Sequence, residues 1–221
     1  MNGQESIFQN GQGYDVFKSW LVQGAQLKGF YEIPQLLPCI ELPQEAIPFS
    51  EVRSEENKRQ WVHFYTDDHN FECLWNNPRA YLEMLKSFDG VIAPDFSLYR
   101  DMPLIMQLWN TYRNRALAHW LQSEGISVIP NVQWGDDRSY HFCFEGIPEK
   151  SPVAISTNGC IQDSLDRQYF KAGLRKMIEV LSPSVIINYS YMPDDIFAPY
   201  KNAGYQFIHI PNRHDVVRGR V

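Results

Sequence analysis

Two aspartates, Asp67 and Asp95, are the residues of this sequence best suited to acid–base chemistry, because each follows a short apolar run typical of a buried strand. The carboxyl ends of parallel strands meet at one edge of a sheet, so the two side chains could lie close together. Repulsion between close carboxylates drives their pKa values apart, which suits a general acid and a general base, and such a pair could also bind Mg²⁺. We therefore take both as catalytic candidates, with Mg²⁺ as a candidate cofactor and the metal ligands undetermined. The alternative is that each carboxylate caps the turn after its strand.

Polar side chains also follow the other expected strands, where a crevice for a ligand would form. One loop, Asn131 to Tyr140, combines amide, aromatic, acidic and basic groups that could hold a polar ring or a phosphate. Its tryptophan could instead be a packing lid and its arginine part of a solvated turn. The substrate-binding candidates are Asn131, Gln133, Trp134, Arg138, Ser156, Thr157, Asn158 and Asn188.

The segment STNGC, from Ser156 to Cys160, precedes an expected helix and is similar to a small anion-binding turn. It lacks the lysine and the spacing of a Walker loop. A helix start could lower the pKa of Cys160 and make it a nucleophile, although no histidine partner is evident in the sequence.

The elements that would position these residues alternate along the chain from Trp61 onward. Six β-rich runs are separated by helical patterns, which is typical of βα units around a parallel sheet. The clearest helix follows Pro103 and carries apolar residues at helical spacing, which predicts a buried stripe of Ile105, Leu108, Trp109, Tyr112, Ala116 and Trp120. One or two further strands could lie between Tyr31 and Phe49.

The fold class expected from this pattern is α/β, with a mainly parallel sheet that is either TIM-barrel-like or open and Rossmann-like. Prolines at 34, 38, 43 and 48 interrupt the earlier apolar stretches, so we expect an irregular N-terminal arm and linker over residues 1–60. Residues 61–221 would form a single α/β domain on which the arm packs.

Composition limits the classes of function. No apolar run approaches the roughly 20 residues that span a bilayer, so no membrane partner is expected. Four scattered cysteines without CxxC spacing indicate reduced thiols and a cytoplasmic location. The net charge of −6 does not favour nucleic acid as a partner, although a local basic groove is compatible with it. Arg213, Arg218 and Arg220 make the tail basic, as a solvated terminus often is. The oligomeric state is not encoded in any visible pattern.

Four stretches carry a resemblance to a known family: FYTDD at 64–68, GVIAPDFSLYRDMP at 90–103, WNTYRNRALAHWLQ at 109–122, and the region from VIPNVQWGDDRSYHF to STNGC. Together they resemble a functionally uncharacterised domain-of-unknown-function family found in bacteria, archaea, and their phages and mobile elements. The resemblance implies a mobile-element setting, in which replication, nucleic-acid processing or counter-defence are usual tasks. It implies no particular activity or site residue.

Three hypotheses follow for the function. The first is a hydrolase in which Asp67 and Asp95 provide acid–base or Mg²⁺ chemistry on a nucleotide, a nucleic acid or another phosphate- or sugar-containing substrate. The second is a noncatalytic module that binds a nucleotide or nucleic acid through Trp134, Arg138 and the STNGC segment. The third is a structural or interaction protein, which an exposed apolar patch on the arm would favour.

Overall fold

The computed structural model describes Asp15 and residues 17–212, so the three arginines of the basic tail lie outside the described residues. Within this part the chain forms nine strands and five α-helices. The strands are β1 Leu27–Lys28, β2 Ile33–Pro34, β3 Ala46–Pro48, β4 Trp61–His63, β5 Gly90–Ile92, β6 Val128–Ile129, β7 Val153–Ser156, β8 Ile186–Tyr189 and β9 Phe207–Ile210. The α-helices are α1 Glu72–Asn76, α2 Leu82–Lys86, α3 Leu104–Ser123, α4 Ser164–Leu181 and α5 Asp194–Asn202.

Seven of the strands run parallel and lie side by side in chain order. β3 to β6 form one sheet and β7 to β9 a second. A parallel bridge between Asn131 and Ala154 links the two, with Val132 N donating to Ala154 O over 2.8 Å. The helices fall between the strands as expected for βα units, so the α/β class and the parallel sheet are confirmed.

The inner face of these strands is strongly curved. The ring of Tyr189 on β8 lies 4.2 Å from that of His63 on β4 and 5.1 Å from that of Tyr65. In a flat sheet β4 and β8 would be four strand spacings, or about 19 Å, apart. One apolar cluster accordingly joins side chains of β4 to β9, among them Trp61, Ile92 and Ile187. Among the described residues no ladder joins β9 to β3.

The outer face of the strands packs against the helices in two further clusters. One centres on Val62, Phe64 and Val91 under α1, α2 and α3. The other joins Val153 and Ile186 to the inner faces of α4 and α5. Because the strands are covered on both faces, they are apolar at nearly every position, as central parallel strands are. No helix in the described part of the chain is long and apolar enough to cross a membrane.

The longest helix, α3, does not bury the apolar stripe that its spacing predicts. Ile105 is 71% exposed and Trp109 44% exposed, although Ala116 and Trp120 are buried. Polar residues take the inward positions instead, including Gln107, Asn110, Asn114 and Arg115. The predicted burial was therefore wrong for Ile105 and Trp109. The reason is that polar groups on the inner face of α3 bond to the loop backbone beneath them.

The residues before Trp61 contribute regular structure as well as irregular chain. β3 pairs with β4 in register from Ala46↔Trp61 to Pro48↔His63, so this segment supplies the edge strand of the sheet. β1 and β2 form a small antiparallel hairpin. Leu21, Leu36 and Phe49 are buried in the cluster around Phe64. Deleting this segment would therefore expose apolar core.

Candidate functional site

A pocket of about 430 Å³ opens at the carboxyl ends of β4 to β7, the edge at which a ligand site was expected. Seven of the ten candidate residues line it. They are Asp67, Asp95, Asn131, Gln133, Trp134, Ser156 and Asn158. These positions span more than ninety residues of sequence, and the parallel strands bring them to one rim because each strand ends at the same edge.

The pocket holds a short chain of polar groups, of which Tyr65 and Asn131 are buried and Asp95 is half-buried. The hydroxyl of Tyr65 donates to Oδ1 of Asn131 over 3.0 Å, and Nδ2 of Asn131 donates to Oδ1 of Asp95 over 2.6 Å. Asp95 Oδ2 accepts no hydrogen bond from any described residue. One oxygen of the carboxyl group is therefore fixed and the other is left for a ligand.

Asn131 is held in place from behind by Arg115 on α3. The buried guanidinium donates to the carbonyl oxygens of Asn131 over 3.1 Å, Cys143 over 2.9 Å and Glu145 over 3.2 Å. Burial lowers the pKa of Arg115 to about 10, so the group remains charged at neutral pH. Its planar fork thus fixes both the end of β6 and the loop beyond it.

Burial raises the pKa of Asp95 to about 8, with a smaller lowering by the Asn131 hydrogen bond and a further raising by the negative charge of Asp68. The carboxylate whose charge raises the pKa of Asp95 is Asp68, the neighbour of the expected partner Asp67. Asp68 is itself engaged, because it accepts hydrogen bonds from the backbone N–H of Ser97 at 3.2 Å and from its hydroxyl at 2.8 Å.

Asp67 lies at the exposed rim of the pocket. It occupies the position before the short 3-10 turn Asp68–Asn70, yet its side chain makes no capping hydrogen bond. No other described residue forms a side-chain hydrogen bond or ion pair with it. The capping alternative is thus excluded for Asp67 within the described residues, and its carboxylate is free to meet a ligand.

The loop that carries Asp95 is clamped by the polar face of α3. Asn114 accepts from Phe96 N over 2.8 Å and donates to Phe96 O over 3.1 Å, while Asn110 donates to Ser97 O over 2.7 Å. Gln107 donates to Met102 O over 2.9 Å at the far end of the loop. These bonds give the loop a fixed path without regular secondary structure.

One wall of the pocket is aromatic. The indole of Trp134 lies 5.4 Å from the ring of Phe170 on α4, measured between centroids. Gly173, one turn further along α4, lies directly under the indole, because a Cβ at this position would collide with it. Trp134 therefore both lines the pocket and packs against α4, so a role in holding a ligand ring and a role in packing are compatible.

The lining of the pocket also carries the cation Arg100. Its guanidinium lies 3.5 Å from Oδ1 of Asp166 and 5.7 Å from the centroid of the Tyr169 ring. Asp101 beside it lines the pocket and is exposed. The lining thus combines one paired cation with several carboxylates.

Three candidate residues lie away from the pocket, which corrects their prediction as pocket residues. Arg138 is bound by Asp136 over 2.7 Å and donates to Arg100 O over 2.8 Å. Thr157 is buried and donates to Tyr191 O over 2.6 Å. Side chains alternate along a strand, so Asn188 lies on the outer face with Ile186 while Tyr189 takes the inner face. Asn188 is buried there and donates to Ser190 O over 2.8 Å.

The STNGC segment does not activate Cys160. Crowding around its sulfur and the charges of Asp95 and Asp166 raise the pKa of this thiol to about 12, although the residue as a whole is exposed. The helix that follows begins only at Ser164, and Asp163 already caps its first N–H groups. The hypothesis of a lowered pKa and a nucleophilic thiol was therefore wrong.

Comparison with known proteins gives a family but no activity. Residues 25–208 match the family described as "Domain of unknown function (DUF4417)". The chain belongs to this family. The earlier resemblance to a domain-of-unknown-function family is thereby confirmed. No solved structure gives a significant match.

Two mycobacteriophage proteins are similar to this DUF4417 chain. The "Gene 1 protein" of Mycobacterium phage L5 is 37% identical over 174 residues, which cover 76% of each protein. The "Gene 1 protein" of Mycobacterium phage D29 is 35% identical over 174 residues, which cover 76% of this chain and 64% of the phage protein. These relatives support the phage association.

The described residues of this DUF4417 member contain no group of three or more His, Cys, Asp or Glu side chains arranged to hold a metal ion. The structure therefore gives Mg²⁺ no ligand set beyond individual carboxylates. Sequence reasoning missed Tyr65, Arg100 and Tyr169 as parts of the site. Tyr65 follows β4 directly and could have been found by listing aromatic as well as polar strand ends, whereas Tyr169 lies within α4 and gave no such signal.

Proposed function

We propose that the chain is a hydrolase of a small sugar- or phosphate-containing substrate, such as a nucleoside or nucleotide, with Asp95 as general acid and Asp67 as general base. The observation that carries the proposal is geometric. The Tyr65–Asn131–Asp95 chain presents one carboxyl oxygen to the pocket, and Asp67 adds a second carboxylate at its rim; neither has a partner among the described residues.

Asp95 suits the role of acid because its carboxyl group holds a proton at neutral pH. With a pKa of about 8, the protonated form exceeds the ionised form by about ten to one at pH 7. The Asn131 amide occupies Oδ1 as a donor, which leaves the proton on Oδ2, the oxygen without a partner among the described residues. A leaving group bound there would receive this proton.

Asp67 suits the complementary role because it is exposed to water and unpaired within the described residues. In the proposed step it takes a proton from a water molecule, whose oxygen bonds to the electrophilic carbon or phosphorus atom. The bond to the leaving group breaks, and the leaving group takes the proton of Asp95. A general acid and a general base of this kind are usually two carboxyl groups, one in a buried and one in a solvated environment.

We also propose that the seven parallel strands form a partly closed, TIM-barrel-like sheet. Their chain order and the contact between the rings of His63 and Tyr189 support a barrel more than an open doubly wound sheet. Barrels of this kind carry their active sites at the carboxyl ends of the strands, which is where the pocket lies. The four free cysteines support a reducing location such as the cytoplasm.

The test is a hydrolysis assay with purified protein on nucleosides, nucleotides and sugar phosphates, with chromatographic detection of products. Replacing the acid in Asp95→Asn should reduce kcat by about 100-fold or more, since a positioned general acid contributes about this much. Asp89→Asn is the matched control, because Asp89 is an exposed aspartate at the opposite end of β5. It should leave the rate unchanged.

An activity that survives Asp95→Asn at full rate would contradict the proposal. The alternative is a noncatalytic module that binds a nucleotide, and the aromatic wall at Trp134 is the feature in its favour. It predicts ligand binding without turnover, lost in Trp134→Ala but kept in Asp67→Asn. Nucleic acid is the less favoured ligand for either function, since the chain carries a net charge of −6.

A further inference from the structure

The charges around the pocket are unfavourable for a phosphate group. Arg100 is the single cation among the described residues that line it, and it is already paired with Asp166 at 3.5 Å. Asp67, Asp95 and Asp101 add further carboxyl groups to the lining. Even with Asp95 protonated, carboxylates outnumber the cation, so a phosphate would enter against net repulsion.

Several free polar atoms of the pocket are hydrogen-bond acceptors. The carboxylates of Asp67 and Asp101 have no side-chain partners among the described residues. Gln133 uses its Nε2 on Phe96 O, which leaves Oε1 as an acceptor. Carboxylate and amide oxygens bind groups that donate, and hydroxyl groups are the uncharged donors that can satisfy several of them at once.

The aromatic wall is suited to the flat side of a ring. Trp134 is kept in place by Phe170 and by the space that Gly173 leaves on α4. Tyr169, beside Phe170 on α4, also lines the pocket. A wall of this kind contacts the apolar face of a sugar or a base, while polar groups opposite read its edge.

We propose that the pocket takes an uncharged, hydroxyl-bearing ring compound of the glycoside or nucleoside class and discriminates against its phosphorylated form. The proposal rests on the pocket of the proposed hydrolase and narrows its substrate. It requires binding selectivity only and does not depend on turnover.

The experiment is isothermal titration calorimetry of the full-length protein with matched pairs of compounds. Adenosine and uridine are compared with their 5′-monophosphates, and methyl glucoside and methyl riboside with their own 6-phosphate and 5-phosphate. At least one uncharged compound should bind, and its phosphorylated partner should bind about tenfold more weakly or worse at low salt. The two arms distinguish a nucleoside from a simple glycoside.

A double variant tests the origin of the discrimination. Asp67→Asn with Asp101→Asn removes two negative charges at the rim, and the phosphorylated compounds should then gain about tenfold in affinity relative to the uncharged ones. Asp89→Asn, which removes one charge far from the pocket, should leave the ratio unchanged. Equal or tighter binding of the phosphorylated member in the wild-type protein would overturn the proposal, as would the absence of binding by every uncharged compound at millimolar concentration.

Failure of this inference and failure of the proposed hydrolase give different results. Selective binding of an uncharged ring without turnover supports the inference and rejects the hydrolase. Turnover that depends on Asp95, with the phosphorylated compound bound as tightly as its uncharged partner or more tightly, supports the hydrolase and rejects the inference.

Discussion

The side-chain amide of Asn131 donates a 2.6 Å hydrogen bond to Oδ1 of Asp95, and so joins the ends of two neighbouring strands, β5 and β6, in the lining of the pocket. This bond stabilises the ionised carboxylate in part, but burial outweighs it and keeps the pKa near 8. The Asp95 carboxyl group is therefore mostly protonated at neutral pH, and several measurable properties depend on this proton.

The first prediction concerns stability against pH. An aspartate of the unfolded chain has a pKa of 3.8, and that of Asp95 rises to about 8 on folding. Between these values the folded protein holds a proton that the unfolded chain does not, so the associated stability is complete below about pH 4 and is lost as the pH rises through about 8. The Asp95→Asn side chain cannot ionise and does not lose this stability. As the pH rises from about 4 to about 8, the free energy of unfolding of the variant should therefore increase relative to that of the wild type by a few kcal/mol, after allowance for solvent screening.

Thermal melting at pH 5 and pH 8 measures this effect. A relative gain of about 2 kcal/mol would raise the melting temperature of Asp95→Asn by about 4–8 °C at pH 8 compared with pH 5. Asp89→Asn should show the same difference from wild type at both pH values. Parallel melting curves for wild type and Asp95→Asn at the two pH values would show that Asp95 is ionised throughout.

The second prediction concerns the hydrogen bond between Tyr65 and Asn131. Removing either partner leaves a buried polar group unsatisfied, so Tyr65→Phe and Asn131→Leu should each cost about 1–3 kcal/mol in urea unfolding. The loss of unfolding free energy in the double variant should be smaller than the sum of the two single losses by about 1 kcal/mol. Tyr140→Phe is the matched control, because the Tyr140 hydroxyl is buried without a partner among the described residues, and its removal should cost nothing. If the losses of Tyr65→Phe and Asn131→Leu add exactly in the double variant, the hydrogen bond between the two side chains contributes no stability.

The sequence predicted the six strands after Trp61 and the edge at which the pocket lies, because short apolar runs followed by polar residues have few other interpretations. It could not decide which face Asn188 takes. Ile186 and Ile187 are both fully buried, so the alternation that would reveal the phase of β8 is missing from the sequence. The curvature that brings His63 to Tyr189 arises from long-range packing and is likewise not visible in the order of residues.

The difference between Asp67 and Asp68 shows a second limit. The two residues are adjacent, and the local backbone of the turn after β4 decides that Asp68 faces Ser97 while Asp67 faces the pocket.

The polar inner face of α3 shows a third limit of prediction from the sequence. Asn110 and Asn114 are buried because they form hydrogen bonds with loop backbone 13 to 18 residues away, and helical periodicity does not indicate such bonds.

The third prediction concerns the reactivity of Cys160. A pKa of about 12 leaves very little thiolate at pH 8, so iodoacetamide should label this cysteine about a hundredfold or more slowly than a free thiol. Peptide mass spectrometry separates this site from Cys73. Because the Asp95 charge contributes to the raised pKa, Asp95→Asn should label faster than Asp89→Asn above pH 8. Fast labelling with a rate that is already constant below pH 7 would identify an activated thiol and contradict the assignment.

The fourth prediction concerns the fit of Trp134 against α4. Replacing a helical glycine by alanine usually stabilises a protein by about 1 kcal/mol. At Gly173 the added Cβ would collide with the Trp134 indole, so Gly173→Ala should instead destabilise by about 1–3 kcal/mol and narrow the pocket. Ala172→Gly at the exposed neighbouring position calibrates helix propensity and should cost about 1 kcal/mol. Adding Trp134→Phe to Gly173→Ala should recover part of the loss, since the smaller ring makes room for the methyl group. A higher melting temperature for Gly173→Ala alone would show that the indole moves freely, and the aromatic wall would then not be a fixed part of the site.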